Sequence, residues 1–309
     1  MAHAVPRPLL LIGMGALSSL LFLSLLSGMS AAFILSFFCQ VPLFYVAMTR
    51  GARDAFVSVL AACLCATLFL DAGVGIVFFL IFGFPCLLLS RVLLSEAPKG
   101  KKESKATTLV IVQQLYSLLL MTLVFGMVEI ALRKGVVTQL MPLLSKPPFK
   151  NIAPNLSPEL VTQFLRIMPG ASLLWTMMAT FMSGTLVQTL LAKRNLSFVK
   201  KSLRLEKINL PLWPWILLVL SALVSIFFQK TFLGPFCVNV LLVLMIVFLV
   251  QGVSIMHAFC LDRPHGTGLL WVFYTFMVFF QEVALVVMVM GILEPWLQMR
   301  RRIEMKTRR

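Results

Sequence analysis

The chain reads as a series of apolar runs separated by short polar or basic connections. Residues 9–26, 55–70, 107–128, 170–191, 236–256 and 269–293 hold almost no charge. About 20 such residues in a helix rising ~1.5 Å each cross a hydrocarbon core of ~30 Å. Inside lipid every backbone N–H and C=O has to be bonded within its own segment, so runs of this length are expected as helices. Further runs at about 29–48, up to residue 90, and at 210–228 complete the pattern. It predicts an all-α, polytopic transmembrane helix bundle of eight spans, or nine if every run crosses, forming one integral membrane domain over 1–309.

The breaks in the pattern predict its turns. The second run contains Pro42, Asp71-Ala72-Gly73-Val74-Gly75 makes a tight return, and Gly83-Phe84-Pro85 predicts a kink, because proline removes a backbone donor. Residues 133–169 are expected as an extracytoplasmic segment in two parts. The first is a loop rich in proline (Pro142, Pro147, Pro148, Pro154). The second is a helix opened by Ser157-Pro158-Glu159, with Leu160, Val161, Phe164, Leu165 and Met168 on one face. Pro169-Gly170 is expected to redirect the chain from this surface helix into the sixth span. The N-terminal run 9–26 and the small residues 27–32 also have the form of a signal peptide. The length of the run, and the second run at 29–48 directly after it, favour a retained helix.

Composition strengthens the membrane reading and charge orients it. The chain is 60% hydrophobic and 12% charged, with a mean hydropathy of +0.98, whereas soluble domains carry about 25% charged residues. Its net charge of +16 is gathered in connections and tails, the pattern of cytoplasmic loops and not of nucleic-acid binding. The strongest clusters are the basic loop 193–209, with Lys193, Arg194, Lys200, Lys201 and Arg204, and the tail 297–309, with Arg300, Arg301 and Arg302. Their expected contacts are anionic lipid headgroups, or a cytoplasmic or membrane protein partner. Three crossings after the cytoplasmic 193–209 would leave the basic tail outside. One of the last three runs is therefore expected to be bent or re-entrant, giving eight crossings with both ends inside.

Candidate chemistry is sparse. Glu282 is the 14th of 25 residues in the run 269–293, near the bilayer midplane, where an ionised acid costs ~2.5 kcal/mol or more. It is expected to face the bundle as an ion, proton or ligand contact; the plain alternative is a protonated carboxyl bonded to a neighbouring helix. If the last two runs form an antiparallel hairpin, depth makes Gln251 its partner and leaves His257 near the interface. Asn239 and Gln251 fall within about 120° of each other on one helix, and Gln113 and Gln114 share the first third of the fifth span. A small-molecule ligand is expected, if anywhere, among Glu282, Gln251, Asn239, His257, Gln113 and Gln114. Glu129 reads as an interfacial residue beside Arg133 and Lys134. His257, Cys260, Asp262 and His265 lack the paired spacing of a metal site, and no metal or cofactor is expected. The six cysteines lie in apolar runs without a C-x-x-C pair, as small hydrophobes. Gly15 with Ser19, Ala62 with Ala66, and Ala179 with Ser183 predict close helix contacts. No nucleophile elbow, zinc-protease motif or phosphate loop is present, so the chain is not expected to be an enzyme.

One stretch carries a resemblance. Gln251-Gly252-Val253-Ser254-Ile255-Met256-His257, followed by Gly291-Ile292-Leu293-Glu294-Pro295-Trp296 leading into Arg300-Arg301-Arg302, resembles the YybS-like family of uncharacterised bacterial multi-span membrane proteins (domain of unknown function 2232). That family is distantly similar in fold to the substrate-binding S components of energy-coupling-factor transporters. The resemblance implies a bacterial cytoplasmic (inner) membrane location and a solute-binding transport component; the alternative is a membrane scaffold or assembly factor holding cytoplasmic partners.

Overall fold

A computed structural model describes residues 6–24, 35–94, 105–144, 157–193, 208–261, 263, 265–300 and 302. Regular structure among them is helical throughout: α1 Arg7–Leu23, α2 Val41–Arg50, α3 Ala52–Phe69, α4 Ala72–Leu94, α5 Lys105–Arg133, α6 Val136–Leu144, α7 Pro158–Lys193, α8 Trp213–Phe227, α9 Leu233–Leu261, α10 Gly266–Phe279 and α11 Gln281–Leu297. The chain clusters into two compact units. The first comprises Met1–Gln113 and Trp175–Asn209, the second Gln114–Leu174 and Leu210–Arg309.

In the first unit small residues let helices approach closely. A Cβ on Gly15 would collide with the Ser58 carbonyl, Ala61 and Ala62, so α1 and α3 meet along the small-residue face that the spacing predicts. Leu43, Phe44, Val59, Ala62, Ala66, Phe78, Phe82 and Cys86 form the apolar core around this contact. Polar side chains inside the unit turn to backbone carbonyls: Ser18 donates to Cys39 O at 2.5 Å and Ser183 to Phe37 O at 2.9 Å. The predicted kink of α4 is a widened π turn at Phe79–Gly83, just ahead of Pro85. There the Gln40 amide donates to Phe82 O at 2.9 Å, serving a carbonyl beside the break. Arg7 and Asp54 pair at 2.5 Å where α1 and α3 begin.

The second unit is built on α9. Gly252 and Gly291 face the partner helix so closely that a Cβ on either would strike backbone, at Val287 O and Phe248 O respectively. α9 and α11 therefore pack with their main chains nearly touching, an approach open only to residues without a side chain. Trp215 of α8 stacks edge-on against Phe248 and donates its indole N–H to Ile292 O at 2.7 Å.

Several points differ from the expectations. Five described helices are long and apolar enough to cross a membrane: Ala52–Phe69, Ala72–Leu94, Ala106–Arg133, Pro158–Leu191 and Leu233–Cys260. A sixth candidate is the pair Gly266–Met277 and Glu282–Leu297, bent by 114°. α1 and α8, of 17 and 15 residues, reach only ~25 and ~22 Å, and Pro42 stands second in the ten-residue α2. The continuous run at 269–293 is broken at Phe280, whose extended backbone ends one helix and caps the next. Finally, Pro169-Gly170 does not redirect the chain, since α7 runs unbroken for 36 residues, and α6 tolerates Pro142 within it.

Candidate functional site

α7 survives its proline because of a residue on another helix. Ser157 starts the helix by accepting the Leu160 N–H at 3.2 Å, as the sequence predicts. Further on, Arg166 C=O and Gly170 N–H are the pair that an unbroken ladder would join directly. The Asn239 side chain reaches both groups, accepting the Gly170 N–H at 2.5 Å and donating to Arg166 O at 2.7 Å and to Pro235 O at 2.7 Å. A Cβ on Gly170 would collide with Asn239, so the insertion needs glycine there. A side chain inserted into the helical ladder is a recognised cause of bending. The same Arg166 sends its guanidinium to Glu129 of α5, at 2.7 and 3.3 Å. Glu129 and Asn239 thus both act on Arg166, a residue the sequence did not single out; its only sign was a cation three residues ahead of Pro169-Gly170.

Gln251, on the same helix as Asn239, has a different environment. It is 1% exposed, and its Oε1 has no hydrogen-bond partner among the described residues. On α5, Gln114 is fully buried with neither amide atom partnered among the described residues, and the same holds for the Ser117 hydroxyl one turn along. These three side chains belong to the second unit. Gln113 belongs to the first and is also buried, its Oε1 unpartnered among the described residues. Unpaired amides are rare in protein interiors and costlier still in a membrane, because no bulk water reaches them. They offer neutral donors and acceptors and no nucleophile.

The remaining expectations fall elsewhere. Glu282 is exposed in the first turn of α11, beyond the break at Phe280, whereas Gln251 is buried; the premise of a continuous hairpin that paired them by depth does not hold. His257 hydrogen-bonds Tyr274 across α9 and α10 at 2.6 Å. Among the described residues no three His, Cys, Asp or Glu side chains gather as a metal site. Arg300 directs its guanidinium to Ser254 Oγ at 2.9 Å, and Glu294 accepts the Met299 and Arg300 N–H groups at 3.1 and 3.3 Å, after the left-handed turn at Gln298. Arg302 is exposed. Lys193 ends α7, while Arg194, Lys200, Lys201, Arg204, Arg301 and Asp262 lie outside the described residues.

No curated protein and no solved structure matches the chain. Residues 16–294, which include the paired glycines of α9 and α11, match the family described as "Predicted membrane protein (DUF2232)", and the chain belongs to that family.

Proposed function

We propose that the protein is a solute-binding component of a membrane transport system, taking a small, uncharged polar molecule between its spans. The observation that carries this reading is Gln114, a whole amide buried in a membrane-spanning helix with no partner for donor or acceptor among the described residues. The Ser117 hydroxyl and Gln251 Oε1 add two more groups in the same unit without a partner among the described residues. A buried amide without a partner costs about 1–3 kcal/mol, a penalty that a bound molecule matching both its donor and its acceptor would remove. The groups carry no charge, so the fitting solute is a neutral amide, a heterocycle or a polyol. They are sealed in this conformation, and the solute enters by a movement of the surrounding helices. The test is a thermal-shift screen of neutral polar solutes against the purified chain in nanodiscs, alongside Gln114→Leu and Gln251→Leu. Stabilisation of the parent that both variants lose supports the reading; equal shifts in all three would defeat it.

The same reading takes the chain across the bilayer eight times, with α10 and α11 as a re-entrant pair and both ends in the cytoplasm. Two features favour it. The 114° bend turns the chain back, and Arg300 reaches Ser254, in the last third of α9, so the basic tail begins on the side where α9 ends. Thiol labelling of Arg302→Cys from the cytoplasmic face alone is expected.

A further inference from the structure

α11 has two unlike faces. Gly291 and Val287 are buried against α9. On the outer face Glu282, Val286, Val289, Leu293 and Trp296 recur at alternating steps of four and three residues, and all are exposed. That spacing is the seam through which one helix packs along another. Lipid contact would account for the apolar members. It does not account for Glu282, which heads the seam between uncharged segments 266–281 and 283–293 and has no bonded partner among the described residues. Acyl chains offer a carboxylate neither a hydrogen bond nor a counter-charge, and intramembrane acids characteristically pair.

We propose that the outer face of α11 is the docking surface for a transmembrane helix of a different membrane protein, which presents a Lys or Arg to Glu282. Charge complementarity selects this occupant. A second copy packed about a two-fold axis along the seam would set Glu282 against Glu282, where like charges repel. Val286, Val289 and Leu293 supply the apolar contact along the seam, and Glu282 supplies orientation and partner choice.

The test is photocross-linking in native membranes from the full chain, with a photoreactive side chain at Val286 or at Val289, and at exposed Leu119 of α5 as control. The expected product is an adduct at Val286 and Val289, absent from Leu119, whose cross-linked peptide lies in a transmembrane segment bearing Lys or Arg. Its yield should fall at least about ten-fold in Glu282→Gln, as when one side of a desolvated charge pair is removed, and persist in Glu282→Asp. Adducts to lipid alone, adducts to a second copy, a partner segment without a basic residue, or a yield indifferent to Glu282→Gln would each overturn the proposal.

Discussion

Asn239 and Gln251 are carboxamides on the same helix, both buried, and they do opposite things. Asn239 uses its amide to bridge the α7 ladder beside Pro169, whereas the Gln251 Oε1 meets no donor among the described residues. Burial of a polar group therefore says little about its role until its partners are counted. An amide with every bond made is part of the scaffold. One with bonds unmade is a destabilising feature, and a bound solute is the simplest reason to retain it. In the first unit Gln40 combines the two cases, donating to a carbonyl at the widened turn of α4 while its own Oε1 meets no donor among the described residues.

The comparison can be broken by substitution, most severely at Asn239. Asn239→Leu strands Gly170 N–H and Arg166 C=O, and at about 1–3 kcal/mol for each buried unmet group the loss should be about 4 kcal/mol. Reversible unfolding in mixed micelles would measure it, and a loss under about 1 kcal/mol would mean that α7 does not depend on the insertion. Glu129→Ala should cost about 2 kcal/mol, between the values for exposed and buried pairs, because Glu129 is 13% exposed and Arg166 34%. Combining the two substitutions should give a non-additive result, since both partners act on Arg166.

Smaller effects sharpen the contrast. Trp215→Phe removes a single hydrogen bond to Ile292 and should cost about 1 kcal/mol, a calibration for one ordinary bond in this unit. Gln251→Leu should change stability least, by under about 0.5 kcal/mol or in the stabilising direction, since an apolar side chain replaces an unmet acceptor. If Gln251→Leu is as damaging as Asn239→Leu, the two amides are structural alike and the solute-binding reading loses one of its supports.

Much of the fold was legible because bilayer physics is written locally. Apolar runs located the long helices, Ser157-Pro158 marked the start of α7, and the small pairs Gly15 with Ser19 and Ala62 with Ala66 marked two faces that meet closely. The break at Phe280 was not legible. Val278-Phe279-Phe280-Gln281 contains neither glycine nor proline, so nothing in its local preferences ends a helix. The converse error came at Pro169-Gly170, where local preference argued for a break that a distant side chain repairs.

What the sequence determined by itself is the membrane class and the set of apolar helices, because the cost of an unbonded backbone in lipid depends on each segment alone. Only the tertiary structure decided which polar groups are spent and which are spare. Asn239 is occupied because α7 brings it the backbone groups of Arg166 and Gly170, Gln251 is left over because no described neighbour brings its Oε1 a donor, and Glu282 faces outward just past the break at Phe280. Those outcomes depend on what lies across from each side chain, which the spacing of residues along one chain does not encode.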